Sequence, residues 1–266
     1  MNFQLVVKPT ATDVAATVCD WLMETIAVTL ERHGRCTLAL SGGSTPKRLY
    51  ERIAERELDR VDWSKVILLW GDERNVPPDH EESNYRMVRQ AWLDRAAATH
   101  QPSSLPQVYP VPVPSNAPDH AAFEYSQTLH RLLPAPDSPA AATPDSSTPH
   151  HVAIPSIDIV LLGLGDDAHT ASIFPETNAT QPSDAWFVAN YVPKLATYRL
   201  TMTASLINAA RHVAFIACGE SKQPAIDLVW HGPRLPNLYP AQLIQPTHGQ
   251  LFWFLDAAAQ PNKHSA

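Results

Sequence analysis

Four short apolar stretches set the terms for this chain: residues 37–40 (TLAL), 66–70 (VILLW), 157–163 (IDIVLLG) and 213–218 (VAFIAC). They run on continuously rather than alternating apolar with polar residues. Strands of that kind belong in a parallel sheet covered by helices on both faces. Helical spacing fills the gaps between them. Residues 11–33 place Val14, Val18, Trp21, Leu22, Ile26 and Leu30 on one face, and Gly34 ends the pattern. Residues 46–58, 84–94 and 120–133 carry similar patterns. The alternation predicts an α/β fold with a doubly wound, mostly parallel sheet flanked by helices.

A length of 266 residues suits one sizeable α/β domain or two small ones. One domain over 1–266 is expected, because the break in rhythm at residues 134–156 leads into a core strand and not a fresh domain start. That segment is rich in Pro, Ala and Ser, has no periodic apolar face, and reads as a mobile surface insertion. Upstream, residues 109–118 (YPVPVPSNAP) are also Pro-rich but alternate, as an edge strand would.

With a formal charge of −7, the chain lacks the basic face that nucleic acid or an anionic membrane surface requires. An anionic substrate would have to meet a local cluster of cations. Cys19, Cys36 and Cys218 are odd in number, widely spaced and set among apolar residues. That is neither a disulfide framework nor a zinc spacing, and it predicts a reducing, cytoplasmic setting. The first residues show no basic flank leading into an apolar core, so no secretory signal is expected, and no apolar run is long enough to span a membrane.

In open α/β sheets, ligands bind beyond the carboxyl ends of the strands. Each apolar run here ends in a polar cluster. After TLAL comes SGGSTPK, where Gly42 and Gly43 permit a tight turn, Ser44 or Thr45 can cap a helix, and Pro46 suits its first turn. A helix start with unspent N–H groups and two hydroxyls is a phosphate cradle; a plain capped helix would look the same, and P-loop spacing is absent. After VILLW, Asp72, Glu73 and Arg74 come directly behind an apolar run that ends in Trp70, where charges must face a cleft or pair with each other. Asp72 and Arg74 suit a polyol or a carbonyl, and Asn84 suits hydroxyls; the plainer reading is a solvated loop with Ser83 capping the next helix. Lys222 lies just beyond the fourth run, and Lys194 and Arg199 lie within 192–203. Lone cations like these mostly face solvent unless neighbours supply an anion.

Behind the third run stands GLGDDAHTASIFP, residues 163–175. Gly163, Gly165 and Ala168 meet a loose dinucleotide fingerprint, but Pro175 arrives too soon for the long helix such a unit needs. His169 has no partner at metal-ligand spacing, so no metal is expected. What is left is a helix entrance at which Asp167 fixes the His169 imidazole, a group able to act as a base near neutral pH. An Asp cap beside a packed histidine is the bland alternative.

Taken in order, LALSGGSTPKRLYERIA (38–54), VILLWGDERNVPPDHEESNYRM (66–87), IDIVLLGLGDDAHTASIFP (157–175), VPKLATYRLTMTASLINAARHVAFIACGESK (192–222) and LFWFLDAAA (251–259) resemble the family of 6-phosphogluconolactonases and glucosamine-6-phosphate deaminases, on its lactonase side. The resemblance spans nearly the whole chain. It implies a Rossmann-like fold, no required cofactor, and hydrolysis of 6-phospho-D-glucono-1,5-lactone in the oxidative pentose phosphate pathway. It implies His169 as the general base, to which we add Asp167 as the group holding the imidazole. The Ser41–Gly42–Gly43–Ser44–Thr45 loop, Arg199 and Lys222 would grip the phosphate, and Asp72, Arg74, Asn84 and Lys194 would contact the ring. Two departures stand out: Ala168 replaces the family's glycine before the histidine, and the 134–156 insertion is longer than the family needs. A deaminase-like isomerase would have an acid five residues past the histidine, where this chain has Phe174, and Asp-Glu-Tyr in place of Asp72-Glu73-Arg74. A non-catalytic phosphosugar-binding regulator would carry a DNA-binding region, for which an acidic chain of this length has no room.

Overall fold

The computed structural model describes residues 2–113, 116–133 and 154–261. Its strands are β1 (Gln4–Lys8), β2 (Cys36–Leu40), β3 (Val66–Trp70), β4 (Asp72–Arg74), β5 (Gln107–Val108), β6 (Ile159–Leu162), β7 (Phe187–Val192), β8 (Thr197–Met202), β9 (His212–Ala217) and β10 (Gln250–Asp256). The helices are α1 (Ala11–His33), α2 (Ser44–Arg56), α3 (Asn84–Val88), α4 (Asp94–Thr99), α5 (Pro118–Leu132), α6 (Ala204–Asn208) and α7 (Gln223–Trp230), with one wide π-type turn, Arg89–Leu93, joining α3 to α4. Seven strands form one sheet in the order β1-β10-β9-β6-β2-β3-β5, every pairing parallel. The four apolar runs are β2, β3, β6 and β9, and all side chains of β2, β3 and β6 are buried. From β2 the chain winds outward to β3 and β5; from β6 it winds the other way to β9 and β10. The order therefore reverses between β2 and β6, and a doubly wound sheet opens its crevice at such a switch point.

Local chemistry explains the boundaries. Thr10 and Asp13 form a reciprocal capping box at the start of α1, and Gly34 closes it at φ 71°. Between those ends, α1 buries Val14, Val18, Leu22 and Ile26, and it packs on β2, β10 and α2. Tyr50 of α2 reaches back to the residue after β2: its phenol accepts from the Ser41 N–H at 3.1 Å and donates to the Ser41 carbonyl at 2.8 Å. Burial pushes that phenol's ionisation far up, so it serves as a neutral brace for the loop.

Two expectations change. The edge strand placed at 109–118 is instead β5, at Gln107–Val108, with one further ladder bond from Tyr109 N–H to the Leu68 carbonyl. Pro110 and Pro112 supply no N–H, so pairing stops where they begin. The second change is a small antiparallel sheet, β4-β8-β7, that the apolar runs did not signal. Its register sets Asp72 opposite Thr201 and Arg74 opposite Arg199. Residues 134–153, most of the proposed insertion, lie outside the described residues.

Candidate active site

A cleft of about 420 Å³ opens at the carboxyl ends of β2, β3, β6 and β9. It is lined by Ser41, Gly42, Gly43, Ser44, Thr45, Asp72, Arg74, Asn84, His169, Lys194, Arg199 and Lys222. Asp167 holds His169 from outside this lining, so the residues proposed for the site from the sequence meet at this one place.

The loop after β2 turns at Gly43, whose φ of 101° is open to glycine and strained for other residues. Gly43, not Ser44 or Thr45, is the N-cap of α2, and no side chain caps that helix. Lys47 N–H already bonds to the Gly43 carbonyl, whereas the amides of the first turn have no carbonyl within the helix to reach. The cleft thus meets a helix N-terminus whose first-turn amides remain for an anion, with the Ser44 hydroxyl beside them and the Thr45 hydroxyl shared with the Cys218 thiol. Gly42 has a separate reason: a Cβ there would overlap the Asn84 amide.

The three charges after β3 divide their work. Glu73 is buried and accepts from the N–H groups of Asn84 (2.7 Å), Tyr85 (2.8 Å) and Arg74 (2.8 Å), which fixes the start of α3. Burial pushes its carboxyl up while those amides pull it down, and the net direction is upward. Ser83 caps α3 as its spacing suggested, accepting from Arg86 N–H at 3.2 Å. Asp72 faces the cleft, accepting from Ser172 Oγ at 2.6 Å, and Asn84 Nδ2 donates to the Asp72 carbonyl at 3.0 Å. Arg74 donates to the Glu82 carbonyl and lies across the ladder from Arg199. Arg199 forms no salt bridge among the described residues; burial and then the facing Arg74 draw its guanidinium below its ordinary value.

Residues 163–175 do not begin a helix. Ala168, Ala171 and Glu176 take positive φ (61°, 47° and 56°), which no α-helix tolerates, and Thr170 and Ile173 form an isolated bridge. Asp167, His169 and Thr170 therefore sit in a compact turn. Gly165 N–H donates to the His169 carbonyl at 2.8 Å, and Ala168 N–H donates to the Gly165 carbonyl at 3.0 Å. The Asp167 carboxylate takes the His169 backbone N–H at 3.2 Å and sits 2.5 Å from Nδ1. Its other oxygen pairs with Lys194. Burial would raise this carboxyl, but the His169 and Lys194 hydrogen bonds outweigh it and hold Asp167 well below the usual carboxylate range. An ionised Asp167 assigns the proton to Nδ1 and leaves Nε2 without a partner among the described residues. Phe174 stacks on the imidazole, ring centroids 4.0 Å apart, and the Lys194 ammonium lies 4.8 Å from the Phe174 centroid.

Lys222 ends a short 3₁₀ turn whose N-cap, Gly219, has φ 96° and donates its N–H to Asp256 at 2.9 Å. Its ammonium pairs with Asp166 at 2.7 Å. Sequence reasoning assigned no role to Ser172 or Asp166, because each makes its contact across 100 and 56 residues respectively. In the sequence Phe174 stands out only as the absence of a deaminase's acid; its stacking on His169 has no sequence signature. Among the described residues, no group of His, Cys, Asp and Glu could hold a metal ion, and no helix is long and apolar enough to cross a membrane.

An oriented imidazole beside a cation-lined helix N-terminus suits base-assisted attack on a phosphorylated substrate. The profile of the family described as glucosamine-6-phosphate isomerases/6-phosphogluconolactonase matches residues 9–253. A 6-phosphogluconolactonase of Nostoc sp. is 41% identical over 254 residues, covering 95% of each chain. One from Synechocystis sp. is 39% identical over 89% of this chain and 88% of its own. The solved structure of the Trypanosoma brucei 6-phosphogluconolactonase superposes with a TM-score of 0.80 at 27% identity, covering 97% of both chains.

Proposed function

The chain belongs to the family of glucosamine-6-phosphate isomerases and 6-phosphogluconolactonases, and from that premise we propose that it hydrolyses 6-phospho-D-glucono-1,5-lactone to 6-phosphogluconate in the oxidative pentose phosphate pathway. The observation that carries this reading is the His169–Asp167 pair, Nδ1 to Oδ1 at 2.5 Å, set at the edge of the cation-lined cleft.

The substrate phosphate is seated by the first-turn amides and hydroxyls of Ser44 and Thr45, with Arg199 and Lys222 completing its charge neutralisation. Asp72, Arg74, Asn84 and Lys194 contact the ring. Held in this way, the lactone carbonyl meets a water activated by His169. Nε2 takes the water proton as the oxygen bonds to the carbonyl carbon, and Asp167 stabilises the resulting imidazolium. Collapse of the tetrahedral adduct breaks the bond to the ring oxygen, which leaves with the proton from Nε2 as a hydroxyl. No covalent intermediate is needed, because the lactone is already electrophilic. Base catalysis of this kind is worth about 10²–10⁴ in rate, and anchoring through the phosphate adds the orientation that makes it effective.

We read the whole chain as one domain working in the cytoplasm without nucleic acid as a partner. Supporting this are the three free cysteines, Cys19, Cys36 and Cys218, and the formal charge of −7. The test is to supply freshly generated lactone and measure acid release against the spontaneous rate, with ammonia release from glucosamine 6-phosphate as the control. Wild type accelerates the first and not the second, and His169→Ala falls to the spontaneous rate while keeping its circular dichroism spectrum. Near-wild-type turnover by the folded variant would refute the mechanism.

A further inference from the structure

In the proposed reading Lys222 grips phosphate, yet its ammonium already holds a carboxylate, Asp166 Oδ1, at 2.7 Å. The pair is lopsided. Lys222 has 26% of its side chain exposed and lines the cleft, whereas Asp166 is 66% exposed and does not line it. Beyond Lys222, the Asp166 carboxylate has one other side-chain hydrogen bond among the described residues, a long one from Ser221 Oγ at 3.5 Å. The cation is thus fixed in the wall while the anion reaches over from solvent. Asp166 also adjoins Asp167, so both acids of the turn hold a cleft lysine: Asp166 holds Lys222 and Asp167 holds Lys194. The two pairs differ in kind. Asp167 is tied to His169 as well as to Lys194, while Asp166 has no such anchor.

We propose that Asp166 is a built-in counter-anion that competes with the substrate phosphate for Lys222, and so limits phosphate affinity and speeds release of the product. The proposal rests on Lys222 being a phosphate ligand. A dianion entering the cleft must draw Lys222 away from Asp166 or share it. An anion that shares Lys222 then lies one ammonium away from a carboxylate that repels it. Both effects weaken binding without touching the reacting carbonyl. Product leaves under a stronger push than substrate, because ring opening adds a carboxylate to the charge already on the phosphate.

The test compares wild type with Asp166→Asn, with Asp166→Ser as a second neutral variant, for KM of the lactone and inhibition by inorganic phosphate and 6-phosphogluconate. Removing one exposed charge next to a dianion predicts inhibition constants and KM lower by about three- to ten-fold at low salt. The difference shrinks at 0.5 M salt, where screening acts over roughly 4 Å. With Lys222→Met as background, the same Asp166 substitution loses most of its effect, because the competition runs through the lysine. If Lys222→Met weakens phosphate inhibition and the Asp166 variants leave it unchanged or weaker, the counter-anion role is overturned. If Lys222→Met itself leaves KM and inhibition unchanged, the phosphate role of Lys222 fails and takes this proposal with it.

Discussion

Replacing Gly165 by alanine would separate the geometry of the base from the stability of the fold. A Cβ built on Gly165 overlaps Nδ1 and Cε1 of His169 and comes within 2.8 Å of Asp167 Oδ1. Phe174 covers one face of the ring at a centroid distance of 4.0 Å and Asp167 holds Nδ1, so the ring can give way only towards the open cleft. Gly165 is not among the residues with positive φ, so alanine carries no backbone strain there. Its reduced unfolded-state freedom even contributes about 0.4–1 kcal/mol of stability, set against the local clash. The clash must be relieved by tipping the imidazole, and a displacement of about 1 Å costs on the order of 10²-fold in rate. That is about 2.7 kcal/mol of activation free energy, and the ceiling is the whole contribution of the base, about 10²–10⁴. KM should move less than kcat, because the proposed phosphate seat is built from other residues of the cleft, Ser44, Thr45, Arg199 and Lys222. The assay is lactone hydrolysis above the spontaneous rate, read beside a thermal melt. A folded Gly165→Ala enzyme with kcat within twofold of wild type would show that His169 does not need its present position, and the reasoning would fail.

Ala168→Gly should be nearly silent. Releasing an L-residue from φ 61° gains about 1–2 kcal/mol; losing a buried methyl costs about 0.8 kcal/mol, and added chain freedom costs about 0.4–1 kcal/mol. The net lies within about 1 kcal/mol of zero by denaturant titration, with unchanged turnover; a large gain in activity would mean that alanine distorts the turn. For Asp167, the folded carboxyl lies below its unfolded value of about 3.9. Its stabilisation is therefore complete above that pH and is lost as pH falls towards the folded value. The gap in urea midpoint between wild type and Asp167→Asn should narrow between pH 4 and 3; a gap that widened over that interval would contradict the ionised Asp167.

Much of the sheet is legible in the sequence because its signal is local. A continuous run such as VILLW has one stable use in a chain of this composition, and the helices between announce themselves by spacing and by a cap such as Ser83. The candidate cleft is legible because each core strand ends in a polar cluster, and these strand ends converge at the switch point. What escapes depends on distant neighbours. The β4-β8-β7 sheet pairs a three-residue charged strand with a segment more than a hundred residues later, and neither half alone has a strong strand pattern. The turn at 163–175 reads as a helix entrance because Asp-x-His-Thr resembles a cap, while the positive φ values of Ala168, Ala171 and Glu176 are imposed by tertiary contacts such as Ala241 N–H on the Ala168 carbonyl. Nothing in the sequence tells Glu73 apart from Asp72, yet Glu73 is spent on seating the start of α3.

The pairing of β2 with β6 carries a consequence in time. Thr37 and Asp158 join these strands by hydrogen bonds across 121 residues, and Ser172 reaches Asp72 across 100. Contacts at such separations are slow to form, because a long stretch of chain must be closed before any of them rewards the closure. The helices and the β2–β3 unit have no such wait. The cleft therefore does not exist in a half-folded chain, however much secondary structure that chain has gained. The assembled cleft belongs to the last stage of the molecule's folding, and a newly made copy holds His169 and the loop after β2 apart until both halves of the sheet have docked.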